Sequence, residues 1–469
     1  MKFLAVASVA HASESTAPGQ SVFSVYLGET TRVPPPNKLS YDPGMTTPAV
    51  HMIGMPYVPG TVRGKLQRGM QDNPAGKIVM LEQPLADTFE RLPAGFVMVD
   101  GAPLSHCLIP LLGSGVPCIL ISHSQASGLQ AGMELILDGT TGLLTSDLSV
   151  PVSPHELPVS SAVSATHDGD AVSLRVSARN QRAVQHAVKY SAEAIGLLRS
   201  EFLVPTDGQL PNVDFYTASL QKLCKTAAGL PLTIRLFDVA ASKRPSWQTV
   251  PLTDVGVLGR QGVRLYDDEP VHGIYRAQLQ AIAAVAAECD VRVLLPFVAD
   301  LAELEYWCDD IKRQLDCPVA VGAMAETPAA ALQLHEWLEV VEFVAIGCND
   351  LMQCLFGADR DQPELRRYLD AYAPALYRFL QQVADAVQSH LDEVQLCGVL
   401  PQLPGILPLL LGLGYRTFSV EATMLPHLRQ TVARTHTAEA RMLAERVCHA
   451  RSSAVVRTPV SYTHLRAHE

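Results

Sequence analysis

The sequence predicts an α/β protein built on a parallel (β/α)8 TIM barrel, preceded by a smaller α/β domain. Three observations predict it. Eight short apolar runs recur after residue 171, amphipathic stretches of helical period separate them, and a different strand pattern punctuated by Gly and Pro fills residues 49–148. Strands that alternate with helices pair in parallel, and eight of them can close into a barrel. A doubly wound open sheet is the other arrangement compatible with the alternation. A chain of 469 residues has room for both domains and for tails, since a barrel alone takes about 250 residues.

Residues 1–48 carry VPPP, scattered Ser, Thr and Gly, and little periodicity, so they read as an irregular lead-in. Within them Met1 to Ser13 hold one Lys, then FLAVASVA, then a small-residue site. That apolar stretch is short for an export signal and is read as a leader without structural consequence. Residues 49–148 follow, with the runs HMIGMPYVPGTVRGKL, KIVMLEQ, GFVMVDG, PCILIS and ELILDG, and one helical segment after Ser105. Residues 149–170 are rich in Pro, Ser and Val without helical period and read as a linker.

The barrel is expected over 171–447. Its strands are predicted at 172–178, 194–200, 232–238, 291–297, 319–325, 342–348, 394–400 and 417–421. Helices are predicted between them, among others at 276–288, 301–315 and 373–391. Residues 448–469 carry no core pattern and are left out of the expected fold, as a tail foreign to it.

Composition narrows the function classes. Lys and Arg total 36 against 47 Asp and Glu, a net charge of −11, which disfavours nucleic acid or an anionic membrane as the main partner. No apolar run reaches the roughly 18 residues that a spanning helix needs. The ten cysteines are scattered, without a CxxC pair. They argue against structural zinc and a disulfide scaffold, and for reduced thiols in a cytoplasmic enzyme.

In such a barrel the chemistry sits where strands end and loops begin. Polar groups gather at those predicted ends. Strand two ends in Arg199 and Glu201, strand three carries Arg235 and ends with Asp238, strand five ends in Glu326, strand six in Asn349 and Asp350, and strand seven contains Cys397. Arg360 follows Asp350 by ten residues. Taken singly, each is as well explained by a structural ion pair or a buried thiol. As a set on successive strand ends they suit a functional mouth. Two carboxylates suit Mg2+, arginines suit phosphate and carboxylate, and a thiol can give a proton to carbon. Separately, His106 stands on a loop at the start of a helical segment, where free backbone N–H groups accommodate a phosphorylated imidazole.

These segments resemble the phosphoenolpyruvate-utilising enzyme family, and most of all its enzyme I type, the phosphoenolpyruvate-protein phosphotransferase of the bacterial sugar phosphotransferase system. SAEAIGLLRSEFL (191–203), VAVGAMAETPAAAL (319–332), EFVAIGCNDLMQCLFGADR (342–360) and LCGVLPQLPGILPLLLGLGYRTFSV (396–420) carry the resemblance. It implies that residues 49–148 are a swivelling phosphohistidine domain and 171–447 a phosphoenolpyruvate-binding barrel. It implies His106 as phosphoryl carrier and Cys397 as proton donor. Glu326 and Asp350 would hold Mg2+, and Arg199, Arg235, Arg264, Asn349 and Arg360 would bind the substrate. It further implies a homodimer through the barrel and an acceptor protein in trans.

The chain departs from the family pattern at several places. Gln261 stands where the family carries an arginine, Leu104 and Leu112 where its histidine loop carries Thr and Arg, and Val399 where it carries Glu. Ala240, Ala241, Ser242 and Lys243 replace a glycine-glycine-aspartate-lysine run. Each loss removes a charge or hydrogen bond from a site that works by electrostatics, so impaired turnover, or a non-catalytic binding protein that keeps the fold, is the other expectation. PYVPGTVRGKL (56–66) runs straight into the histidine-bearing domain, leaving no room for the helical insert that holds the phosphocarrier partner.

Overall fold

The computed structural model describes residues 49–70, 73–82, 91–105, 108–152, 163–205, 208–239 and 258–457. His106 and the run from Ala240 to Lys243 lie outside these residues.

Eight strands form the sheet of the small domain: β1 His51–Ile53, β2 Met55–Val58, β3 Thr61–Arg68, β4 Lys77–Leu81, β5 Gly95–Val99, β6 Cys118–Ile121, β7 Glu134–Asp138 and β8 Leu143–Thr145. Their order is β1-β8-β7-β3-β4-β5-β6-β2. The central strands β3, β4, β5 and β6 pair in parallel, and antiparallel pairs complete both edges. Alternation along the strands makes two apolar faces. Ile78, Met80, Val97, Val99, Ile119 and Ile121 close one core with Leu135 and Leu137. Val79, Leu81, Phe96, Met98, Cys118 and Leu120 face the helix Ile109–Ser114 and join the apolar cluster that continues into the barrel. The expected helical segment after Ser105 is this helix.

All eight predicted barrel strands form: β9 Ser173–Ala178, β10 Ile195–Arg199, β11 Leu232–Arg235, β12 Val291–Val298, β13 Ala320–Ala325, β14 Phe343–Gly347, β15 Val394–Cys397 and β16 Thr417–Val420. They are parallel throughout and close when β16 pairs with β9. The closed barrel, not the open sheet, is the fold. Outward residues such as Leu232, Ile234, Val344, Ile346, Val394 and Leu396 meet the surrounding helices. Inward residues Leu197, Leu294, Met324, Phe343, Ala345 and Cys397 pack on one another inside. A Cβ on Gly322 would lie 2.5 Å from the Phe343 ring, so glycine there lets the ring cross the barrel floor.

Helix starts follow side-chain chemistry. Asn180, Asn212, Asp300 and Thr327 each accept a backbone N–H in the first turn of the helix that follows. The helix predicted over 276–288 starts earlier, at Val271, and ends at Val285. The long helix predicted over 373–391 divides into Pro374–Ala386 and a tighter turn, Gln388–Glu393, with His390 off helical geometry. Part of the expected linker is ordered. Residues 163–172 form a turn in which Ala165 bridges Ala171 and the His167 N–H donates to the Thr435 carbonyl. The expected tail also contributes. Val456 is fully buried and Arg457 pairs with Asp370 at 2.7 Å while lying over the Tyr372 ring. Among the described residues no helix is long and apolar enough to cross a membrane.

Candidate functional site

The C-terminal ends of the barrel strands line a hollow that is partly open to solvent. Arg199, Glu201, Arg235, Asp238, Gln261, Glu326, Asn349, Asp350, Arg360 and Cys397 line it. Seven residues expected from the sequence therefore share one space: Arg199, Arg235, Glu326, Asn349, Asp350, Arg360 and Cys397. Arg264 does not line it. Its guanidinium donates to the Gly259 carbonyl at 2.9 Å and lies over the Phe297 ring.

Strand alternation explains the convergence. On β11, Leu232 and Ile234 point out to the helices, which turns Arg235 inward. On β13, Val321, Ala323 and Ala325 point out, so Met324 and then Glu326 point in. On β15, Val394 and Leu396 point out and Cys397 in. Asn349 and Asp350 occupy the first turn of the helix Cys348–Phe356 directly after β14.

Arg235 is the electrostatic centre. It bonds Glu201, reaches Asp238 at 3.1 Å, and stands 4.0 Å from Glu326. Burial opposes its charge, but Glu201, Asp238, Glu326 and Asp350 outweigh that and hold it protonated. Burial raises the Asp238 carboxyl against the lowering pull of Arg235. Glu326 is pushed up, first by burial and next by the charge of Asp350. One Glu326 oxygen accepts the Phe297 N–H at 3.1 Å. Phe297 is a non-glycine residue at φ 52°, a left-handed conformation that costs about 1–3 kcal/mol. It aims a backbone donor at a buried carboxylate.

The remaining groups are held firmly. Asp350 accepts from Gln353 at 2.7 Å and lies 3.4 Å from the Arg360 guanidinium, while the Arg360 N–H donates to Gln353 at 2.9 Å. Asn349 accepts the Val399 N–H at 3.0 Å. Cys397 contacts the Ile346 carbonyl at 3.4 Å, and burial, with Glu326 next, pushes its thiol up to about 12. Burial, then Arg179 and Arg235, lowers Arg199 from the usual guanidinium range. Among the described residues its guanidinium has no hydrogen bond or ion pair, and it faces the hollow.

Two kinds of residue escaped the sequence reading. Gly347 and Gly398 leave room: a Cβ would lie 2.5 Å from Glu326 Cγ at the first and 2.7 Å from Asn349 Oδ1 at the second, where φ is 106°. Their position beside the polar residues was the available signal. Ile109 of the small domain also lines the hollow, which no single-chain periodicity reveals. The helix it begins is docked on the barrel rim. Thr423 donates to the Leu112 carbonyl, a Cβ on Gly113 would lie 2.9 Å from Glu421 Oε2, and Arg366 bonds the Asp100 carbonyl.

Comparison with known proteins adds independent findings. Residues 156–437 match the family model described as PEP-utilising enzyme, PEP-binding domain. A phosphoenolpyruvate-protein phosphotransferase of Haloferax volcanii is 28% identical over 424 residues, 84% of this chain and 75% of its own. A protein of the same name in Streptomyces coelicolor is 30% identical over 356 residues, 73% of this chain and 63% of its own. A multiphosphoryl transfer protein of Xanthomonas campestris is 27% identical over 382 residues, 77% of this chain and 45% of its own. The chain thus spans between just under half and three quarters of these relatives' lengths.

Proposed function

The chain belongs to the PEP-utilising enzymes, and from that premise we propose that it is a phosphoenolpyruvate-dependent phosphotransferase. In this reading the barrel mouth binds phosphoenolpyruvate, His106 of the small domain carries the phosphoryl group, and a separate protein accepts it. The carrying observation is the single hollow shared by Arg199, Arg235, Glu326, Asn349, Asp350, Arg360 and Cys397.

The substrate presents a phosphate and a carboxylate. The Arg199 guanidinium and the amide of Asn349 supply donors for these oxygens, and Arg360 adds positive charge. Phosphoryl transfer asks mainly for positioning and for neutralisation of spread charge. The His106 imidazole forms the N–P bond as the P–O bond to the enolate breaks. The enolate then takes a proton on its methylene carbon from Cys397 Sγ, and solvent restores the thiol. A thiol whose pKa is about 12 stays protonated until an enolate demands its proton.

Glu326 and Asp350 fit Mg2+. They are two buried carboxylates on one hollow, and the charge of Asp350 adds to burial in raising the Glu326 carboxyl, a cost that a hard cation with oxygen ligands relieves. When bound, Mg2+ would neutralise charge on the phosphoryl oxygens. Gln261 is buried at the same mouth. Its neutral amide leaves the site one guanidinium short of the family pattern, which lowers turnover without dismantling the hollow.

The test is a rapid-mixing assay of pyruvate after phosphoenolpyruvate and Mg2+ are added to the full chain. A burst of about one pyruvate per chain, absent in Glu326→Gln, supports the reading. Binding of phosphoenolpyruvate without a burst, or a burst that persists in the variant, contradicts it.

A further inference from the structure

Outside the lining of the barrel mouth, His167, Asp168 and His436 bring three metal-ligating side chains together, one ligand atom of each within 4.8 Å of the others. We infer that they form a binding site for a divalent transition ion of the Zn2+ or Ni2+ class, joining the turn before β9 to the start of the helix Thr437–Cys448.

The site is built by its surroundings. The His167 N–H donates to the Thr435 carbonyl at 2.9 Å, which fixes the turn against the residue before His436. One Asp168 oxygen, Oδ2, accepts the Thr437 N–H at 2.7 Å. That bond orients the other oxygen, Oδ1, which lies 3.0 Å from Nδ1 of His436 and 3.6 Å from Nδ1 of His167. The two imidazole rings stand with centroids 3.8 Å apart. Asp170 extends the framework, accepting from Thr437 Oγ1 at 2.9 Å and pairing with Arg416 at 3.1 Å. The backbone framework therefore exists before any ion arrives, so binding orders little else.

Donor chemistry sets the ion class. Two imidazoles with one carboxylate favour Zn2+, Ni2+ or Cu2+ over Mg2+, which prefers oxygen alone. All three groups are partly open to solvent, with His167 60% and His436 42% exposed, so an ion can reach them and water can complete its shell. Such an ion would tie the turn before β9 to the start of the last barrel helix.

The experiment uses the full chain stripped with EDTA and titrated calorimetrically with Ni2+, alone and in excess Mg2+. The wild type is expected to bind one equivalent that Mg2+ does not displace. His167→Ala and His436→Gln should each weaken that equivalent by more than about tenfold, since losing even a group that orients a ligand costs roughly 10–100-fold. Glu326→Gln should retain it, which separates this site from the barrel mouth. Ni2+ should also raise the melting temperature of the wild type and not of the two histidine variants. Absence of the equivalent in the wild type, or its full retention in both histidine variants, overturns the inference.

Discussion

Gly347 carries no side chain where Glu326 needs space: a Cβ there would lie 2.5 Å from Glu326 Cγ and 2.6 Å from its Oε1. The backbone of Gly347, at φ −80°, suits any residue, so the glycine is required by the approach alone. Gly347→Ala should leave the fold intact and displace the carboxylate. Displacement on the scale of 1 Å costs about 10²-fold in catalysis. Pyruvate-burst rates and Mg2+ affinity, measured beside a melting curve, check this.

Arg235 holds together carboxylates that would otherwise repel. Glu201, Asp238 and Glu326 all lie within its reach, and all are nearly buried. Arg235→Met keeps the volume and removes the charge. Breaking a buried pair in this way costs about 3–5 kcal/mol, so urea midpoints should fall by a corresponding amount. Adding Asp238→Asn should return part of the loss.

The docked helix of the small domain offers a separate handle. Gly113 faces Glu421 at the rim, and Glu421 pairs with Arg179 at 3.3 Å. Gly113→Glu sets a second carboxylate against it and should part the domain from the barrel mouth. Phosphoenolpyruvate binding, read by equilibrium dialysis, should persist while the pyruvate burst falls. Loss of both together would mean that the barrel site itself had been damaged.

Most of the barrel was legible because its strands alternate. A run such as VQLC shows period two, and closure by eight such runs separated by helices admits few topologies. Part of the candidate site was legible from alternation on three strands, where the inward positions of β11, β13 and β15 bring Arg235, Glu326 and Cys397 to the mouth. What escaped depended on approach between distant segments. Nothing in LLGSGVP announces that Gly113 will meet Glu421, or that Ile109 will line the hollow. Arg264 is placed differently. Its place in a familiar motif suggested substrate contact, yet local bonds to Gly259 and stacking on Phe297 keep it outside the lining.

Alkaline pH should unfold the chain early. Burial raises the thiols of Cys397 and Cys224 from the ordinary 9.0 to about 12, and that of Cys308 to about 11. The folded state therefore keeps protons that the unfolded chain releases above about 9. This contribution to stability is fully present below pH 9 and is lost as pH rises through 11 to 12. Denaturant midpoints should be level from neutrality to pH 9 and decline steadily beyond it. Cys397→Ala should shallow the decline.

The central claim is tested most directly by transfer of labelled phosphate. The full chain is incubated with Mg2+ and phosphoenolpyruvate labelled in its phosphoryl group, then tested for label stable to base and labile to acid, with His106→Ala as the comparison. The account predicts such label on the wild type and none on the variant. Equal labelling of the two, or an unlabelled wild type that still binds phosphoenolpyruvate, would contradict it.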